Sequence, residues 1–255
     1  MVVAVLGPVE VHGAARSFER AWTLDLVAYL AMHRRGASSE TWVTALWPDR
    51  LPAAPTLHST ASAARRALGP SADGPDHLPR SHGHLRLGPT VGTDWERFRR
   101  LARSDRPDAW VEALDLVRGR PLGGLRSPDW AVLEGFVAEI EEAVVDIGLR
   151  LAGHLLERYD ARTAGSVARR ALLVSPFDER LYRVLLQAAD AQGNPAGVES
   201  VMAELTRLVG GGAEATGARS FPATQACELV HPDTAALYRA LSRRLPAVGR
   251  SLARL

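Results

Sequence analysis

The chain has 255 residues, with 31 basic side chains that are all arginine against 29 carboxylates, so its formal charge is only +2. That balance excludes a protein that coats DNA through bulk charge and leaves local clusters as the electrostatic route to nucleic acid. The lone cysteine, Cys227, excludes an internal disulfide and a cysteine-built zinc site, and no apolar run approaches the roughly twenty residues of a membrane-spanning helix. The length fits one large or two modest domains, and two are expected. An arginine-only, Ala- and Gly-rich composition points to a GC-rich genome. The start, MVVAVLGPVEVHG, lacks the basic and small-residue features of a secretory signal, so the expected location is cytoplasmic.

Residues 1–13 alternate apolar and polar around Gly7-Pro8, which predicts short antiparallel strands. From Trp22 to His33 the spacing turns helical, through Leu24, Val27, Ala28, Leu30 and Ala31, and Gly36 follows Arg34-Arg35 at the helix end. Ser38 predicts the cap of a second helix, with Glu40 in its first turn and Trp47-Pro48 as its stop. A third helix is predicted from Thr56 to Leu68. Its stripe Leu57, Ala61, Ala64, Leu68 faces a core, and His58, Ser59, Ser62, Arg65 and Arg66 lie opposite. HLPRSHGHLRLG, residues 77–88, predicts a hairpin turning near Gly83.

Beyond Asp94 the spacing is helical throughout. A long helix is predicted from Trp130 to Tyr159, then shorter ones over 164–174, 178–192 and 196–209. Ala164-Gly165 recurs as Ala196-Gly197 at an offset of 32, close to the period of a TPR. The glycine-rich stretch 210–220 is expected to be a loop, and a last helix is expected from Pro232 to Arg244. The expected fold class is therefore mainly α. A winged helix-turn-helix with short N-terminal strands and a β-hairpin wing occupies 1–93, and an all-α, TPR-like helical domain occupies 94–255.

These segments resemble a known family. VLGPVEV, LVAYLAMHR, SSETWVTALWPD, LHSTASAARRALG and HLPRSHGHLRL, in that order, resemble the winged-helix half of the SARP-type transcriptional regulators. The remainder is similar to their bacterial transcriptional activator domain. Asp94-Trp95-Glu96-Arg97-Phe98 resembles the family's D-x-x-R-F junction, and HPDTAALYRAL its closing motif. The resemblance implies a regulator that binds double-stranded DNA and contacts RNA polymerase or another protein through its helical domain; a homodimer is left open, and no membrane is involved. It places His58, Ser59, Thr60 and Ser62 toward the major groove, Arg65 and Arg66 toward phosphates, and Arg80 and Arg86 on the wing. The sequence departs from the family at Ala63, where relatives commonly carry arginine.

The charge count gives the DNA reading local support: residues 1–93 hold nine arginines against seven acids, and the third helix has two arginines and no acid. The competing expectation is a protein-interaction or regulatory module that does not bind DNA, with a degenerate winged helix, as the C-terminal part of a larger protein. No enzyme, cofactor or metal is expected. His77, His82 and His84 lack a carboxylate or thiolate at ligand spacing, Cys227 and His231 straddle a helix-breaking Pro232, and Gly210–Gly212 lack the lysine of a phosphate loop.

Overall fold

In a computed structural model the described residues are 1–49, 51–72, 74–79, 83–210 and 227–244. The chain divides into two compact units, Met1–Ala143 and Val144–Leu255. The sequence placed its boundary at 93/94.

The first unit is built on strands β1 (Val2–Ala4), β2 (Glu10–His12) and β5 (Gly92–Thr93), in the order β2-β1-β5. β1 pairs antiparallel with β2, as the Gly7-Pro8 turn predicts, and parallel with β5 some ninety residues later. Helix α1 (Ala21–Met32) buries Leu26, Val27, Ala28, Leu30 and Ala31, and Tyr29 meets Trp130 edge to face at 4.9 Å. Strand β3 (Ala37–Ser38) leads into α2 (Ser39–Leu46), whose Thr41 N–H donates to the Ser38 hydroxyl, the predicted cap. Helix α3 (Ala54–Leu68) opens on Pro55, which costs nothing where no intrahelical acceptor exists. Its buried side, Thr60, Ala61, Ala64, Ala67 and Leu68, packs against α1.

The predicted 77–88 hairpin takes a different form. Strand β4 (His84–Leu85) pairs antiparallel with β3, Ala37 opposite Leu85 and Ser38 opposite His84. The two arms of 77–88 do approach, with the Gly88 N–H donating to the His77 carbonyl at 2.8 Å. A ladder within 77–88 is absent among the described residues, and positions 80–82, where it would turn, lie outside them. Gly36 makes the β3–β4 approach feasible: its φ is +82°, and a Cβ there would sit 2.5 Å from the Leu85 carbonyl oxygen.

The junction motif D-x-x-R-F is a structural clasp. Helix α4 (Asp94–Ala102) begins with a capping box between Thr93 and Glu96. The buried Asp94 carboxylate accepts from the Val5 N–H (2.7 Å) and the Leu6 N–H (3.1 Å), which otherwise end β1 unpaired. Burial pushes this carboxyl upward from its usual pKa, and the two N–H groups and Arg118 oppose the shift. Phe98 is fully buried and stacks on Trp95. Asp25, also buried, holds the Arg126 and Ser127 N–H groups through one oxygen.

After α5 (Pro107–Asp115), the single long helix predicted from Trp130 is two: α6 (Asp129–Leu133) and α7 (Phe136–Glu157). Gly135 lies between them at φ +81°, a left-handed conformation that ends α6.

In the second unit, α8 (Ala161–Leu172), α9 (Glu179–Ala191) and α10 (Pro195–Val209) pack successively, and α11 (Pro232–Arg244) lies against α9 and α10. Asp160 caps α8 through the Thr163 N–H, and Asn194 caps α10 through the Gly197 N–H. These caps are 34 residues apart, and the same offset superposes the buried faces: Ala164 on Val198, Ala168 on Met202, Ala171 on Leu205. The internal repeat thus has a register of 34; the offset of 32 between the Ala-Gly pairs is not the structural one. The expected loop 210–220 falls outside the described residues except for Gly210.

Candidate nucleic-acid interface

A helix that reads a groove needs a polar, acid-free face held by a rigid support. In α3 the support is the alanine-rich side packed on α1, and the outward side carries His58, Ser62 and Arg66, all exposed. No acidic residue occurs along α3. Ser59 is half-buried, and its hydroxyl donates to the Thr56 carbonyl at 2.9 Å. Arg66 reaches back to the Ser62 carbonyl at a long 3.4 Å, which leaves the guanidinium largely in solvent.

Two of the sequence-predicted residues are placed differently. Thr60 is 5% exposed and donates to the Thr56 carbonyl, so it belongs to the stripe that faces α1 rather than to the outward face. Leu57, Thr60, Ala64 and Ala67 follow the 3-4-3 spacing of a buried face, a signal already present in the sequence. Arg65 is half-buried and donates from Nε to the Leu78 carbonyl (3.1 Å) and from Nη2 to the Pro79 carbonyl (3.5 Å), tying the 78–79 segment to α3. Arg80 lies outside the described residues.

Arg86 is exposed just after β4. The segment bearing it is fixed because the Ser39 N–H, at the start of α2, donates to the Gly83 carbonyl at 2.8 Å. Arg35 and His84 join Arg86 around a depression of about 460 Å³. Arg35 was legible only as a charge at the end of α1; its partnership with β4 depends on a strand pairing between residues 46 and 48 positions apart. Arg16 and Arg20 were also missed. They precede α1, yet with Arg66 they line one pocket.

Among the described residues no group of three or more His, Cys, Asp or Glu side chains could hold a metal ion, and no helix is long and apolar enough to cross a membrane.

Residues 93–209 match the model of the bacterial transcriptional activator domain. The match begins at the Thr93 cap and covers slightly less than half of the chain, so this segment is similar to an activator domain. The match falls on the part of the chain that the sequence likened to the activator domain of the SARP-type transcriptional regulators, in agreement with that resemblance. The fold is similar to that of Mycobacterium tuberculosis EmbR in complex with a low-affinity phosphopeptide, with a TM-score of 0.61 and 21% identity. The similarity covers 95% of this chain and 65% of that one, so the chain spans less than two thirds of EmbR's length there. No curated protein matches the chain.

Proposed function

We propose that the chain is a DNA-binding transcriptional regulator in which residues 1–93 act as a winged helix-turn-helix and 94–255 as a TPR-like regulatory domain. The observation that carries this reading is the outward face of α3, where His58, Ser62 and Arg66 stand exposed on an acid-free helix. In this reading His58, Ser59 and Ser62 face base edges, while Arg66 holds phosphate on one side and Arg86, with Arg80, on the other. Arg65 keeps the 78–79 segment in place and acts on DNA only through it.

The helical domain takes the protein partner, RNA polymerase or another. The 34-residue register between α8 and α10 supports a TPR-like pair, and Arg162, Arg169 and Arg170 rim a groove of about 560 Å³ floored by Leu185, Ala188 and Ala189. A second reading, a protein-interaction module without DNA binding, draws on the burial of Thr60 and on Ala63, which narrow the reading face.

Fluorescence-anisotropy titration against fragments of the source genome, with non-specific DNA as competitor, separates the two. The regulator gives at least one fragment bound on the order of a thousandfold tighter than competitor. Uniform, weak binding to every fragment favours the interaction module.

A further inference from the structure

The pocket beside the start of α1 shares only Arg66 with the outward face of α3. It encloses about 180 Å³ and is lined by Arg16, Ser17, Glu19, Arg20, Thr23 and Arg66, with Ala63 among its walls. Three guanidiniums face one carboxylate, so its local charge is positive. The 12-residue helix α1 begins here, Arg20 provides no side-chain cap, and no acid stands in its first turn. The Thr23 N–H is taken by the Arg20 carbonyl at 2.9 Å, and the positive end of the helix dipole has no acid beside it in the first turn.

A second observation points to a ligand independently of that helix end. Thr23 lines the pocket and is 2% exposed, yet its Oγ1 has no hydrogen-bond partner. A buried hydroxyl without a partner costs about 1–3 kcal/mol by itself. An anion in the pocket would accept that O–H. The site is also built rigidly. The Arg16 N–H donates to the Ala67 carbonyl at 3.1 Å, pinning the preceding loop to the end of α3, and Trp22 is held between Trp47 (4.4 Å) and the Arg126 guanidinium (5.2 Å).

We propose that this pocket is a phosphate-binding site, in which Thr23, Arg16, Arg20 and Arg66 and the N-terminus of α1 hold the oxygens of one phosphate group. The phosphate comes either from a DNA backbone or from a free, small phosphate species. Only the first source rests on the DNA-binding reading; the site is testable without DNA.

The test is thermal unfolding of the full chain in inorganic phosphate against chloride at matched ionic strength, for wild type, Thr23→Val and Arg20→Gln. Thr23→Val keeps the side-chain volume and removes only the unpartnered hydroxyl, and Arg20 is exposed, so both variants retain the helical circular dichroism of the wild type. Phosphate at several times its dissociation constant raises the wild-type midpoint by about 2–4 °C, and each variant loses most of that rise. Titration of DNA then separates the sources. A roughly tenfold weaker DNA complex in Arg20→Gln assigns the phosphate to the backbone. Unchanged DNA affinity, or no DNA binding by any form, assigns it to a free phosphate species. The proposal is overturned if phosphate has no effect beyond chloride, or if it raises all three midpoints equally.

Discussion

Replacing Asp94 with asparagine should destabilise the first unit far more than replacing Asp25, although both carboxylates are buried and each accepts two backbone N–H groups. The difference lies in which oxygens are used. Asp94 divides the load, Oδ1 taking the Val5 N–H at 2.7 Å and Oδ2 the Leu6 N–H at 3.1 Å. An amide has one acceptor oxygen, so Asp94→Asn sets an NH2 against an N–H and leaves a buried donor unpaired, at about 2–3 kcal/mol. Asp25 takes the Arg126 and Ser127 N–H groups at 2.9 and 3.1 Å on Oδ1 alone, and the Oδ1 of asparagine can keep both. Losing a buried charge offsets the weaker acceptor, so Asp25→Asn changes stability by less than about 1 kcal/mol.

Acidity adds a second signature. Burial raises both carboxyl pKa values, so the folded state binds these protons more tightly than the unfolded chain. The stability they contribute is complete below the ordinary carboxylate pKa and is lost as pH rises through the raised folded values. Asp25→Asn should flatten that decline. Urea titrations followed by tryptophan fluorescence report on the right region, because all six tryptophans lie within Met1–Ala143. Equal costs for the two substitutions, or a pH profile unchanged in Asp25→Asn, would refute the reasoning.

Three further predictions use the same unit. Gly36→Ala should cost more than about 1 kcal/mol in urea midpoint, because its φ of +82° and the Leu85 carbonyl 2.5 Å from the new Cβ both oppose it. Thr93→Ala removes the capping box at α4 and should cost about 1 kcal/mol, read by the same titration. Arg65→Ala should lower stability by about 1–2 kcal/mol through the lost Leu78 and Pro79 tie, while changing the salt dependence of DNA binding less than Arg66→Ala does; equal salt effects would place Arg65 on the DNA.

The sequence made visible what depends on near neighbours. Ser38 as a cap, Trp47-Pro48 as a stop and the switch from alternating to helical spacing after residue 13 are decided within a few residues, and α1, α2 and α3 stand close to where they were predicted. What depends on distant pairing was hidden. The pairing of His84-Leu85 with β3 was not foreseen, because that partner comes from before α2, and the hairpin expected within 77–88 is not confirmed among the described residues. The clasp of Asp94 on Val5 and Leu6 links the junction motif to the first strand, and no local pattern announces it.

Helix-compatible side chains ran on both sides of Gly135, so only its backbone conformation reveals the break between α6 and α7. At the candidate interface the acid-free character of α3 was legible, as were the exposed positions His58, Ser62 and Arg66. Thr60 was assigned outward by the family register against its own 3-4 spacing, and the contribution of Arg16 and Arg20 depends on the loop being pinned to the end of α3.

Central to the account is that the outward face of α3 meets DNA, and the slope of log affinity against log salt for wild type and Arg66→Ala tests it most directly. Arg66 is exposed, so the variant should keep the wild-type urea midpoint. If Arg66 neutralises one phosphate, its removal lowers the slope by about 0.9 and weakens binding to all sequences by a similar factor. An unchanged slope with unchanged affinity would show that DNA, if bound at all, is bound elsewhere.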